Sequence, residues 1–185
     1  MSLYSPKEIA SLAVTAGVNK SRASVANLLI LGFLAGAFIA IGFLLDLHVV
    51  GTLPASWGSF GGLLGAAVFP VGLILTVLAG GELLTGNMMT LPIAWFARQI
   101  SLYAVIRNWF WVTLANLIGS IAVAYFFGHV LAMTEGAFLA KTVATAQAKV
   151  SADFMHAFIS GIGCNWLVCL AVWLAFASKD VGGKV

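Results

Sequence analysis

Residues 59–97 read SFGGLLGAAVFPVGLILTVLAGGELLTGNMMTLPIAWFA up to the boundary of Arg98, with Glu82 as the only charge before it. Ser59 to Gly81 is long enough to cross a bilayer, whose ~30 Å apolar core takes about 20 helical residues. Leu83 to Ala97, beyond Glu82, is too short to cross in the usual way, and Thr85-Gly86-Asn87 and Pro92 interrupt it. The pattern predicts a span followed by a broken helix. In hydrocarbon an unpaired backbone group costs several kcal/mol, so a break is tolerated only where it is buried in protein or lines a water-filled cavity. The break at Glu82 to Asn87 therefore points to a pathway. A half-helix beginning after Asn87 would turn free N–H groups and its positive dipole end toward that pathway, which suits an anion. An ordinary cytoplasmic re-entrant loop is the alternative.

Outward from this stretch, the composition agrees. The 185 residues are 62% hydrophobic and 8% charged, where a soluble domain carries about a quarter charged residues. A mean hydropathy of +1.06 indicates an all-α polytopic membrane protein in contact with the lipid bilayer. The net charge of +3 is too small and too scattered for a nucleic-acid surface. Three further spans are expected in one transmembrane domain, residues 1–185. Leu28 to Leu45 ends at Asp46, with Gly32 and Gly36 as a close-contact face. Trp109 to Met133 carries Trp109 and Trp111 as interfacial anchors, and Phe154 to Ala177 is the last. Thr134 to Asp153 reads as a loop with a short helix.

Residues 1–26 read as an amphipathic helix and lead-in, and Met1 to Lys20, with Pro6, Lys7 and Glu8 and no apolar core, is not expected to be a cleavable signal peptide. Ser5-Pro6-Lys7-Glu8 is a capping box with proline at the first helical position, and Ile9, Leu12, Ala13 and Ala16 repeat at helical spacing. An amphipathic helix on the cytoplasmic surface is expected. Lys7, Lys20, Arg22, Arg98, Arg107, Lys179 and Lys184 all fall on one side of the spans, so the N-terminus and the tail are both placed in the cytoplasm.

Several polar residues have two readings each. Glu82 is either an intramembrane acid with a function or a cap for the N–H groups of the broken turn. Lys149, just ahead of the last span, either concentrates anions at a pore mouth or is a solvated, snorkelling lysine. Asn165 lies mid-span and bonds either the broken helix or a permeant ion, or else a neighbouring helix. His129 and His156 read as interfacial. Cys164 and Cys169 match neither a metal pair nor a disulfide framework and read as small residues in a lipid-embedded helix. Paired carboxylates, HExxH, GxSxG and the phosphate-loop pattern are all missing. That argues against an enzyme and against a metal or organic cofactor, and leaves a non-transporting membrane subunit as the rival to transport.

The stretch Phe69 to Asn87, Asn108-Trp109 with Ala115-Asn-Leu-Ile-Gly119, and Gly163-Cys-Asn-Trp-Leu-Val-Cys-Leu-Ala-Val-Trp173 together resemble the formate/nitrite transporter family. The resemblance implies an aquaporin-like fold with an interrupted second helix, homopentamers in a bacterial inner membrane, and a pore in each protomer. Such pores conduct small monovalent anions such as formate, nitrite or hydrosulfide, passively or with protons. It implies that Phe69, Leu73, Leu83 and Val168 line apolar constrictions, that Thr85 sits beside the pore centre, and that Asn165 faces the pore. It also makes Lys149 the vestibule lysine, reversing the solvated reading. An apolar constriction excludes hydrated ions by dewetting, and a nearby lysine offsets the anion's desolvation. Glu82, Leu84, Gly86 and Asn87 form the broken-helix loop, where Leu84 replaces a phenylalanine usual in the family. The family continues through a second interrupted helix, bearing a pore histidine, and a sixth span. The expectation is therefore a fragment with the first repeat complete and the second truncated.

Overall fold

The computed structural model describes residues 3–185; Met1 and Ser2, part of the expected N-terminal lead-in, lie outside the described residues. Helix α1 (Pro6–Ser21) starts where its local chemistry dictates. Ser5 Oγ accepts from the Glu8 N–H at 3.4 Å, and the Glu8 carboxylate accepts from the Ser5 N–H at 2.7 Å. Its buried face is Ile9, Ala13 and Gly17. The face is turned onto helix α5 (Leu84–Phe96), and a side chain on Gly17 would collide with the Thr90 carbonyl oxygen. Helix α1 is thus docked on protein along this face.

Helix α2 (Val25–Val50) begins at Ser24, whose hydroxyl accepts from the Asn27 N–H. It does not stop at Asp46: twenty-six residues at about 1.5 Å each outrun the apolar core, so the acid rides inside the last turns. His48, on the same final turns, has its Nε2 2.7 Å from the Met133 carbonyl oxygen and stacks on Phe138, which ties this end of α2 to residues 133–138.

The stretch expected as one span is two helices, α3 (Ser59–Val68) and α4 (Val71–Ala79). Pro70 lies between them, and a proline ring both removes a donor and clashes with the preceding turn. Helix α6 (Leu102–Val123) starts before Trp109 because Ser101 caps it, and it runs into a wide π-turn segment, Ala124–Val130. Helix α7 (Leu139–Val150) precedes α8 (Phe154–Ala177), which Asp153 caps through the His156 N–H. Among the described residues, four helical stretches are long and apolar enough to cross a membrane: 25–50, 59–79, 102–130 and 154–177.

Helices α2 and α6 form the centre. A Cβ on Gly36 would strike the Asn116 backbone, and one on Gly119 would strike the Phe33 carbonyl oxygen. Only glycine lets the two backbones approach this closely. Leu28, Leu91, Val105 and Val112 are fully buried around them. Outward, Phe110, Leu117, Ile121, Trp166 and Leu174 are exposed. A surface this apolar belongs against lipid or another membrane-embedded chain rather than water.

Candidate functional site

The chain leaves α4 at Gly80, whose φ of +73° is left-handed, a region a Cβ disfavours. It then runs through Gly81, Glu82 and Leu83, and α5 begins at Leu84. The break is therefore 80–83, and Thr85, Gly86 and Asn87 belong to the first turn of the half-helix. The expectation of a start after Asn87 rested on poor helix propensity, which tertiary contacts override here: Asn87 is anchored by its side chain, and Gly86 packs towards Val172 of α8. Pro92 likewise sits inside α5 without ending it.

The backbone of the break is satisfied from its neighbours. Gly81 N–H donates to the Thr76 carbonyl at 2.8 Å, and Glu82 N–H to the Leu31 carbonyl at 3.1 Å. Asn116 of α6 does most of the rest. Its Nδ2 donates to the Glu82 and Gly32 carbonyls, both at 2.8 Å, and its Oδ1 accepts the Leu84 N–H at 2.9 Å. Asn116, then, is the cap of the broken turn, and the Glu82 side chain is not.

Glu82 instead joins a buried network. Lys20 Nζ donates to Glu82 Oε1 at 2.9 Å, and Asn87 Nδ2 donates to Glu82 Oε2 at 2.7 Å and to Asn108 Oδ1 at 2.8 Å. Asn108 Nδ2 returns to the Lys20 carbonyl at 3.2 Å. Trp109 Nε1 donates to the Asn87 carbonyl at 3.3 Å, so this tryptophan anchors α6 to α5 rather than to an interface. Glu82 is 7% exposed, and Asn87 and Asn108 are fully buried. A buried carboxylate is tolerable with a cation and donors around it. Sequence reasoning counted Lys20 only toward orientation; its place in the last turn of α1, facing a lone membrane acid, was the available signal.

Two cavities lie at opposite ends of the bundle. One of about 190 Å³ is lined by Lys20, Leu73, Leu83, Gly86, Asn87 and Val172. The other, about 510 Å³, is lined by Asp46, Trp57, Gly65, Phe69, Lys141 and Thr145. Phe69 and Leu73, one turn apart across Pro70, thus face different cavities. Thr85 and Asn165 are brought together through a residue the sequence reading passed over. Asn165 Nδ2 lies 3.6 Å from Cys169 Sγ, and the Cys169 thiol donates to the Thr85 carbonyl at 3.3 Å. Thr85 Oγ1 and Asn165 Oδ1, together with Asn87 Oδ1 of the buried network, are buried and have no hydrogen-bond partner among the described residues. Val168 is half-buried on the same helix but lines neither cavity, Leu84 is half-buried, and Lys149 is exposed at the end of α7. Among the described residues no group of His, Cys, Asp or Glu could hold a metal ion.

Chemically, the arrangement sets the start of α5, with Leu83 and Gly86, in the mostly apolar wall of the smaller cavity, while the unpaired atoms of Thr85 and Asn165 lie between α5 and α8 and line neither cavity.

A family profile described as "Formate/nitrite transporter" matches residues 7–185. The "Uncharacterized transporter YrhG" of Bacillus subtilis is 56% identical, over 100% of this chain and 70% of that protein. The "Formate channel BtFdhC" of Bacillus thuringiensis is 54% identical, over 100% of this chain and 71% of that one. Among solved structures, an "FNT family ion channel" superposes with a TM-score of 0.85 at 27% identity, covering 96% of this chain and 72% of that chain. A "Pentameric formate channel with formate bound" superposes at 0.73 and 32% identity, covering 86% and 63%. Given the profile match along nearly its whole length, an interrupted second span and relatives above half identity, the chain belongs to the formate/nitrite transporter family.

Proposed function

We propose that the protein conducts small monovalent anions across a membrane, formate first among them, with nitrite and hydrosulfide as further substrates. The observation that carries this reading is the interrupted span. Its break is satisfied by protein on the α2 and α6 side, while its half-helix presents Leu83, Gly86 and Asn87 to an apolar cavity. A fixed, low-dielectric constriction favours a dehydrated monoanion or its protonated acid over a hydrated cation. Leu73, Leu83 and Phe69 would form the apolar walls, and Thr85 and Asn165 the polar contact between them. Val168 would add to those walls, and Lys149 would raise the local anion concentration at the mouth. The chain's basic residues support a cytoplasmic N-terminus in a bacterial inner membrane, and the pentameric formate channel it resembles supports a homopentamer.

The test is uptake of labelled formate into proteoliposomes, with nitrite, hydrosulfide and sodium compared. Formate uptake well above that of protein-free vesicles, with no sodium uptake, is expected, and Leu83→Trp should suppress it while leaving assembly intact. Uptake indistinguishable from protein-free vesicles would refute the reading.

A further inference from the structure

We propose that Asp46 and Lys141 are opposed charges that set how readily an anion enters the cavity beside Phe69, Lys141 drawing it in and Asp46 holding it back. The inference rests on the transport reading and deepens it, by naming residues that govern the apparent affinity for a small monovalent carboxylate.

The cavity of about 510 Å³ is walled by Asp46 of α2, Trp57, Gly65 of α3, Phe69, and Lys141 and Thr145 of α7. An acid and a base share its wall without pairing with each other: the ion pairs among the described residues are Lys20 with Glu82 and His129 with Glu135. Asp46 is held in place. Its Oδ1 occupies the space where a side chain on residue 65 would stand, so Gly65 lets the carboxylate seat against α3. Lys141 and Thr145 are one turn apart on α7, and Lys149 follows a turn later on the same side of the helix. The face of α7 that carries both lysines is thus the face turned to the cavity, and Lys141, not Lys149, lines it.

Charges on the wall of a cavity with apolar surroundings act through a focused field, because the low-dielectric walls do not screen them. The ammonium of Lys141 attracts an arriving monoanion and offsets part of its lost hydration. The carboxylate of Asp46 repels the same ion. Because the two are not in contact, each acts on the ion independently and is separately removable, although in the intact protein they offset one another. A merely structural pair would give losses of the same sign on removal; a steering pair gives opposite signs.

The experiment measures initial rates of formate uptake against concentration in proteoliposomes, at ionic strengths of about 0.01 M and about 1 M, between which the Debye length falls from about 30 Å to about 3 Å. Expected at low salt is a rise in KM of about two- to fivefold for Lys141→Gln, and a fall of similar size for Asp46→Asn. The double variant should return near the wild-type KM, and Lys141→Arg should keep it. Maximal rate and oligomer size should stay unchanged, and the KM differences should vanish at high salt. The proposal is overturned if both single variants move KM the same way, if only the maximal rate changes, or if the differences survive high salt. Should Asp46→Asn fail to assemble, Lys141→Gln, on an exposed helix, still decides it: an unchanged KM overturns the proposal. Absence of formate uptake by the wild-type protein would instead remove the transport reading on which it rests.

Discussion

Replacing Asn116 with leucine should destabilise the protein by about 2–6 kcal/mol, and the figure follows from which partners it leaves alone. Asn116 makes three hydrogen bonds, to the Gly32 carbonyl, the Glu82 carbonyl and the Leu84 N–H. Gly32 loses little, since its carbonyl also lies within α2 and takes a bond from the N–H four residues on. The other two have no such substitute. Leu84 is the first residue of α5, whose N–H has no acceptor inside the helix, and Glu82 lies in the break. Each buried group left unsatisfied costs about 1–3 kcal/mol, and leucine is close enough in size that no large cavity adds to it. Ser120→Ala is the control one turn along α6: its hydroxyl donates to the Gly36 carbonyl at 3.1 Å, which the α2 helix already satisfies, so its loss should stay below about 1 kcal/mol. The assay is unfolding in mixed micelles with increasing SDS fraction, followed by tryptophan fluorescence. Equal losses for Asn116→Leu and Ser120→Ala would refute the idea that Asn116 is the cap of the broken helix.

Removing the two ends of the Lys20–Glu82 pair should not cost the same. Lys20→Met strands a carboxylate that is 7% exposed and should cost about 2–4 kcal/mol, below the full range for a buried pair because the lysine side chain is 22% exposed. Glu82→Gln leaves a lysine that can swing to water and should cost about half as much in the same SDS titration. At the start of α1, the Glu8 carboxyl is held below its ordinary value of 4.5, first by the Ser5 hydroxyl and then by the Ser5 N–H. Since the folded value is the lowered one, this contribution is present above about pH 5 and is lost as pH falls through the lower folded value. The amide-exchange protection factors of residues 6–10 should fall as pH drops through that lowered value, and Ser5→Ala, which removes the hydroxyl but keeps the backbone N–H, should weaken that pH dependence.

How much of this was legible in the sequence depends on the range of the forces involved. The start of α1 is written in Ser5-Pro6-Lys7-Glu8, because a capping box is closed by residues three apart. The interrupted second span is legible because Glu82 and Gly80-Gly81 break an otherwise uncharged run. The exact bounds are not. Asp46 looks like an end but sits inside α2, since one acid near the last turn reaches water without stopping a helix. Gly86 and Asn87 look like loop residues but are helical, because their partners are Val172, Glu82 and Asn108, between 5 and 86 positions away in the chain. The same distance hid Lys20, Asn108 and Asn116. Each is unremarkable among its chain neighbours, and its role exists only once α1, α5 and α6 meet.

The two sides of the broken helix differ in a way that separates stability from passage. On the α2 and α6 side, Asn116, Glu82, Asn87 Nδ2 and Asn108 satisfy one another and the break, and Asn87 Oδ1 alone is left without a partner. On the α8 side, Thr85 Oγ1 and Asn165 Oδ1 are buried without partners. An orphaned buried polar atom is a standing cost of about 1–3 kcal/mol, and the two on α5 and α8 lie on either side of the Cys169 thiol, which bonds the Thr85 carbonyl. Thr85→Val, which keeps the shape and removes the hydroxyl, should therefore leave the SDS midpoint unchanged or raise it. If that hydroxyl serves the passing ion, formate uptake should fall several-fold in the same variant. Asn116→Leu should do the reverse in order of cause, with uptake lost only in proportion to unfolded protein. A Thr85→Val protein that is as fast as wild type would deny the orphaned hydroxyl any part in conduction. One that is clearly less stable would mean that it has a structural partner after all.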